Sequence, residues 1–251
     1  MCLENIKRRP YKVSVALAVY NGGNYIVEQI DSILSQLNSN DELVISYDVS
    51  TDNTFEIISC YSQKDKRVRV FKNPYKNGVV KNFQNALEKT SGEIIFYADQ
   101  DDVWLSGKID RVVKCFEDEK VSVVVHDAFL SDEKLNVFEN STFKLRGGVR
   151  VSAIGNIYRL SFIGCCMAFR AKYKDVIIPI PTIKRSHDWW TGVICSVGGK
   201  MVALNESLIH HRIHDNNSTP TKRPSIFYQS HVRWIIIKNL ILRYRKRLSI
   251  K

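Results

Sequence analysis

A chain of 251 residues with 44% apolar and 25% charged side chains can bury a sizeable core, which excludes the disordered and small disulfide-scaffold classes. No apolar run reaches the roughly 18 residues of a membrane span, and the opening "MCLENIKRRPYK" is polar and basic rather than leader-like, so a cytoplasmic protein is expected. The net charge of +11 is uneven: nine Lys and Arg and no acid lie beyond Asp215, pointing to an anionic surface for the tail rather than a nucleic-acid-reading domain.

In chain order, "VSVALAV" (13–19) reads as a strand closed by the turn residues Tyr20-Asn21-Gly22-Gly23. Ile26, Ile30, Ile33 and Leu37 then recur at helical spacing and predict an amphipathic helix over 24–37. "ELVISY" (42–47) is the next strand, followed by a polar turn, a helix over 54–62, the strand "VRVF" (68–71), a helix over 79–89 and the strand "EIIFYA" (93–98). Strands alternating with helices of this length predict βαβ units, a parallel sheet and an α/β fold, in which ligands collect at the carboxyl ends of the strands. Three polar clusters follow strand ends, at Tyr20, at Asp48 and at Asp99 to Asp102, so they are expected along one edge of one sheet.

The second half is less regular. "VSVVVHDAF" (121–129) predicts a strand, 131–148 a loop or an excursion, 151–163 a helix, "CCMAF" (165–169) a strand and 186–200 a helix. "MVALNESLIHHRIH" suggests strand, turn and strand. The six cysteines form no CxxC pair and are expected as buried thiols. In the tail, Phe227, Trp234, Ile237, Ile241, Tyr244 and Leu248 form one apolar helical stripe beside basic residues. That stripe suits an in-plane membrane contact, packing on the protein itself, or a sister subunit. Two units are expected: a domain over 1–220, with halves divided near residue 104, and a basic helical tail over 221–251.

"FYADQDDVW" (96–104) sets three carboxylates between an apolar strand and a tryptophan. Carboxylates so close raise one another's pKa unless a cation sits among them, so the cluster reads either as a solvated acidic turn or as a cation site. Asp188, at a predicted helix start, suits an N-cap as well as chemistry. There is no G-x-S-x-G, HExxH or Walker pattern, and the first turn lacks the basic residues of a nucleotidyltransferase loop.

Taken in order, "AVYNGGNYIVEQIDSILSQ", "YDVSTDNT", "NGVVKNFQNAL", "GEIIFYADQDDVWLSGKI", "HDWW" and "HRIHDNNS" make the chain resemble family 2 glycosyltransferases of the GT-A fold, from about Val13 to Ser218. Among these it is most similar to bacterial rhamnosyltransferase-like members that build capsules, O-antigens and surface glycans. The resemblance implies inverting transfer of a hexose or deoxyhexose from a UDP- or dTDP-sugar to a glycan hydroxyl, with Mn²⁺ or Mg²⁺. dTDP-rhamnose is suggested by the DQDD context, and UDP-glucose, UDP-galactose and UDP-GlcNAc stay open. It assigns the DxD motif to Asp99-Gln100-Asp101, with Asp101 as metal ligand and Asp99 near the ribose, and Asp102 as a sugar contact or a support. Tyr20 and Asp48 would hold the base, Lys81 the diphosphate, and Asp188 would act as general base. Trp189 and Trp190 would line the acceptor site, and His214 would complete the metal shell with Arg212 and Ser218 in the closing loop. The family's usual Asp-Asp-Gly-Ser is here Tyr47-Asp48-Val49-Ser50. That change keeps open a degenerate, non-catalytic module that binds glycans or scaffolds partner enzymes.

Overall fold

The computed structural model describes residues 9–76, 78–158, 161–181, 187–214 and 226–248, with side chains given for 230–244 in the last segment. The first half alternates as expected: β1 (Val13–Val19), α1 (Ile26–Leu34), β2 (Glu42–Tyr47), α2 (Thr54–Lys64), β3 (Val68–Lys72), α3 (Val79–Lys89) and β4 (Ile94–Ala98). There follow β5 (Val103–Trp104), α4 (Lys108–Cys115), β6 (Val121–Ser131), β7 (Val137–Glu139), α5 (Thr142–Leu145) and α6 (Ala153–Tyr158). The described chain ends with β8 (Met167–Arg170), α7 (Lys174–Ile177), α8 (His187–Gly198), β9 (Lys200–Arg212) and α9 (Ile226–Leu248).

Among the described residues the strands form one sheet in the order β3-β2-β1-β4-β8-β6-β9-β5, with β7 beside β6. Strands β3, β2, β1 and β4 run parallel, and β8 enters antiparallel to both β4 and β6. Period-two alternation sorts the strand side chains onto two faces. Val13, Val15, Leu17 and Val19 share one core with Ile26, Ile30 and Ile33 of α1. Ala16, Ile95 and Tyr97 share the other with Phe83, Ala86 and Leu87 of α3 and Trp190 of α8. Both faces are therefore covered, which is why these strands read as continuous apolar runs.

Four expectations need correction. "MVALNESLIHHRIH" is not two strands: β9 runs through it, and the break in pattern is absorbed as register shifts against β6 between His126 and Phe129. The 131–148 stretch holds β7 and α5, the latter capped by the Ser141 hydroxyl, which accepts from the Lys144 N–H. The helix over 151–163 is only the short α6, the chain being extended by Ile163, and residues 159–160 lie outside the described residues. The tail is helical, but the face that packs is Val232, Ile236 and Leu240, while Trp234, Ile237 and Ile241 stand in solvent. Tyr244 is partly buried and donates its hydroxyl to the Ile194 carbonyl at 2.8 Å. Of the predicted stripe, the side chains of Phe227 and Leu248 lie outside the described residues.

Candidate active site

Parallel pairing of β1 with β2 and β4 brings Tyr20, Asp48 and the 99–102 segment to the same sheet edge. The three loops are tied together by polar bonds. Gln100 accepts from the Tyr20 N–H at 2.8 Å and donates its side-chain amide to the Tyr20 carbonyl at 2.9 Å, leaving the Tyr20 ring exposed. Asn21, held at φ 46°, receives the Thr51 N–H on its side-chain oxygen at 2.8 Å. Gly22 donates to the Thr54 hydroxyl at 2.8 Å and Gly23 to Asp52 at 2.9 Å. The 48–54 loop thus keeps its shape through side-chain anchors, with Val49 in the glycine position simply pointing to solvent.

Asp48 is buried and accepts from Asn73 at 2.7 Å and from the Gly78 N–H at 2.9 Å. Gly78 takes φ +143°, a conformation suited to glycine, and this turn both starts α3 and fixes the Asp48 carboxylate. Each carboxylate oxygen retains a second lone pair for a base N–H. Lys81, one turn on, donates to Gln84 at 2.9 Å and lies over the Tyr75 ring, so its present rotamer serves α3 rather than the acidic loop.

The three carboxylates after β4 have different surroundings. Burial and the charges of Asp102 and Asp101 push Asp99 up to about 8, and Asp188 adds to that rise, which places Asp188 within electrostatic reach of the loop. Burial and the neighbouring Asp102 also raise Asp101, against the opposing pull of a hydrogen bond between its Oδ2 and His214 Nε2 at 2.9 Å. Asp102 points inward, fully buried, and meets His211 Nδ1 at 2.8 Å and the Arg212 N–H at 3.2 Å. Burial opposes its charge, yet His211, the Cys165 thiol and the Arg212 N–H together outweigh burial and hold it below the usual carboxylate range. Burial likewise works against the His211 imidazolium, and Asp102 overrides it, lifting His211 to about 10. Of the readings given to Asp102 in sequence, the geometry matches a support behind Asp101 and not a sugar contact.

Arg212 is equally inward. It donates to the Asp101 carbonyl at 2.9 Å and the Glu133 carbonyl at 2.6 Å, and it pairs with Glu28. It braces the loop that carries His214, and the diphosphate role goes no further than that in its present conformation. Ser218 lies outside the described residues. An open depression of about 470 Å³ adjoins His214, lined also by Asp132, Glu133, Lys134, Asn136 and Ile213.

Asp188 sits in the first turn of α8 and accepts from the Trp189 N–H at 2.7 Å. Gly164 permits this approach: a Cβ there would lie 2.9 Å from His187 Nε2 and 3.6 Å from the Asp188 Cβ. Trp189 is half-buried and donates its indole N–H to the Asn156 carbonyl at 2.8 Å. Trp190 is a correction: it is fully buried, bonds the Ile177 carbonyl and belongs to the core, so it lines no acceptor site.

A metal fits this place chemically. Oxygen donors from carboxylates with a single imidazole suit Mg²⁺ or Mn²⁺, and carboxylates raised toward neutrality signal a place where positive charge is wanted. Asp102, Cys165 and His211 also converge, their ligand atoms within 4.8 Å of one another, directly behind that point.

Several residues here escape sequence reading. Gln29 donates to the Asp99 carbonyl at 2.6 Å; its signal was a polar residue on the otherwise apolar face of α1. Gln100 lies inside the quoted motif without a role of its own. Lys108 is fully buried, pushed down to about 8 by that burial, and caps the Cys165 carbonyl at 2.9 Å while lying 3.8 Å over the Trp104 ring. Tyr25 and Glu28, the partners of His214 and Arg212, looked like ordinary helix-start residues.

Comparison with known proteins bears on the family and the fold. The chain is 28% identical over 219 residues to an uncharacterized glycosyltransferase, alr2836, of Nostoc sp., covering 82% of this chain and 66% of that protein. It is 28% identical over 235 residues to the Escherichia coli UDP-Glc:alpha-D-GlcNAc-diphosphoundecaprenol beta-1,3-glucosyltransferase WfaP, covering 88% and 84%. The crystal structure of S. aureus TarS 1–349 in complex with UDP-GlcNAc superposes with a TM-score of 0.68 at 20% identity, covering 92% of this chain and 66% of that one, a likeness of GT-A fold. The chain thus spans just under two thirds of the Nostoc relative and of the TarS fragment. Residues 14–177, well over half the chain, match the description Glycosyl transferase family 2, and the chain belongs to that family.

Proposed function

We propose that this chain transfers a hexose or deoxyhexose from a UDP- or dTDP-sugar to a hydroxyl of a growing bacterial surface glycan, with inversion at the anomeric carbon. The observation that carries the reading is electrostatic: Asp99, Asp101 and Asp102 crowd at the end of β4 and raise two of their number, with Asp188 of α8 contributing to the same field. Asp101 and His214 would hold a divalent cation there, with Asp99 beside it, and when bound it would neutralise the departing diphosphate. WfaP and the TarS complex, by their descriptions a UDP-Glc enzyme and a UDP-GlcNAc binder, support a nucleotide-sugar donor.

The chain's own residues take the remaining roles. The exposed Tyr20 ring stacks on the base, and Asp48 accepts its N3–H while still holding Gly78. Lys81 must leave Gln84 to reach a phosphate. Asp188 takes the proton from the acceptor hydroxyl as that oxygen attacks the anomeric carbon opposite the leaving group. Trp189 offers the adjacent aromatic surface. The anchored loop around Asp48 supports this reading over a non-catalytic module, because the substituted turn keeps its side-chain ties.

The test is Asp188→Asn beside Asp101→Ala, with turnover and donor binding measured separately. Removing a general base lowers turnover by about 10²- to 10⁴-fold with donor affinity nearly kept, whereas Asp101→Ala loses metal-stimulated donor binding. Wild-type turnover by Asp188→Asn would refute the base assignment, and no metal-stimulated binding of any UDP- or dTDP-sugar would refute the function.

A further inference from the structure

Helix α9 carries two apolar faces and uses one. Val232, Ile236 and Leu240 enter the core shared with α3 and α8. Successive helix residues are about 100° apart, so Trp234, Ile237 and Ile241 lie on the side away from Ile236. Trp234 is 57% exposed and Ile241 52%, and Ile237 and Leu242 are exposed with them. The protein supplies an apolar partner for the first of these faces only.

The exposed face does not stop at α9. Arg233 donates to the Ile157 and Tyr158 carbonyls at 3.3 and 2.8 Å, joining α9 to the end of α6. On α6, Ile154 is 71% exposed and Tyr158 69%. Two elements therefore present large apolar side chains beside one another.

Charge selects the occupant. Beyond Asp215 the sequence has nine Lys and Arg and no Asp or Glu; of those with described side chains, Arg233 and Arg243 turn to the protein and Lys238 faces outward. Lys238, between Trp234 and Leu242 on the outer side, holds its ammonium 5.0 Å from the Trp234 ring centroid, so the exposed apolar face carries a cation within it. A second copy docked through the same face would oppose two acid-free segments, since a two-fold interface brings the same patch together. Anionic headgroups instead neutralise them. No described helix is long and apolar enough to cross a membrane.

We propose that the outer face of α9, with Ile154 and Tyr158 of α6, lies in the plane of an anionic lipid surface. Tryptophan and isoleucine enter the headgroup–acyl boundary while Lys238 keeps its ammonium at headgroup level. The Asn156 carbonyl of α6 also holds the Trp189 indole, so the lipid surface adjoins α8, which carries Asp188. The inference stands apart from the transfer reaction, since none of its residues acts on the donor.

The experiment is flotation of the purified chain with phosphatidylglycerol–phosphatidylcholine vesicles and with phosphatidylcholine vesicles alone, alongside light scattering without lipid. The wild type is expected to float with the anionic vesicles, and less so at high salt. Trp234→Ser/Ile237→Ser/Ile241→Ser should lower the partition coefficient at least about tenfold, a loss of 1.4 kcal/mol, with an unchanged melting temperature because these side chains leave no cavity. Lys238→Glu, which keeps Trp234, Ile237 and Ile241 and reverses one charge, should weaken flotation with anionic vesicles. Equal flotation of the folded triple variant and the wild type overturns the proposal. So does a wild type that ignores anionic vesicles, including the case where it is a dimer that the triple variant dissociates.

Discussion

Tyr25 stacks on His214 with ring centroids 4.8 Å apart and planes 28° from parallel. The Arg212 guanidinium lies 4.8 Å from the centroid of the same tyrosine. This small stack joins the start of α1 to the end of β9, segments about three quarters of the chain apart, and it holds the imidazole whose Nε2 meets Asp101. A histidine fixed by an aromatic face loses less freedom on binding a ligand than one that must be ordered first.

Tyr25→Ala should therefore weaken metal-dependent donor binding by roughly fivefold, about the 1 kcal/mol that an aromatic pair contributes. Tyr25→Phe keeps the ring and should bind as the wild type does. A Mn²⁺ titration at fixed UDP-sugar, followed by calorimetry, reads both. Unchanged affinity in Tyr25→Ala would mean that His214 is positioned by its carboxylate bond alone.

With a pKa of about 8, Asp99 is mostly protonated at pH 7 in the metal-free protein. A cation binding among the carboxylates displaces that proton, so Mn²⁺ binding should release protons at pH 7 and release few at pH 9. Calorimetry in two buffers of different ionisation heat measures the release, and Asp99→Asn should reduce it. The stability consequence follows from linkage. The folded state keeps a proton that the unfolded chain gives up above its ordinary value of 3.8. This contribution to stability falls as pH rises from about 4 to about 8, and levels off beyond.

Much of this was legible beforehand because β1 to β4 obey simple periodicities. Their strands are buried on both faces, and Ile26, Ile30 and Ile33 mark the inner face of α1. The placement of Asp48 and Asp99 at one edge follows from parallel pairing alone. Pattern reading failed where long-range contacts choose among equivalent faces. In α9, Ile236 and Ile237 are chemically alike, and only the shape of the core beneath decides which of them is inside. Arg212 shows the same limit: a cation in a loop that resembles the family's closing loop reads as a phosphate ligand until Glu28, Glu133 and Asp101 are found around it. The pairing of Asp102 with His211 spans 109 residues and left no local signal.

That pair predicts its own variant. Asp102→Asn leaves His211 buried without its counter-charge, and breaking a buried pair in this way costs about 3–5 kcal/mol. The pH dependence has two limbs. The His211 contribution is complete below its ordinary value of 6.5 and disappears as pH rises through about 10. The Asp102 contribution is complete above 3.8 and disappears as pH falls through its lowered folded-state value. Melting temperatures across this range should show both losses in the wild type, and Asp102→Asn should remove both, because it takes away the carboxylate that titrates at the acid end and the counter-charge that lifts His211 at the alkaline end.

The register of α9 can be checked with two neighbouring residues. Ile236 is fully buried in the core with Val193, Ile194 and Trp190, so Ile236→Ala removes apolar contacts and opens a cavity that close-packed neighbours fill only in part. Such truncations cost about 2–5 kcal/mol. Ile237, one residue on, is exposed, and Ile237→Ala should fall within about 0.5 kcal/mol of the wild type. Arg243 gives an independent reading of the same packing: it donates to the Val176 and Pro179 carbonyls at 2.8 and 2.5 Å and lies over the Trp190 ring. Arg243→Ala should destabilise the fold by about 1–3 kcal/mol, since it leaves these carbonyls without their charged donor. Denaturant midpoints for the three variants decide the matter. If Ile237→Ala is the costly one, the helix packs by the stripe that the sequence first suggested, and the outward face described for Trp234 and Ile241 would instead be its inner one.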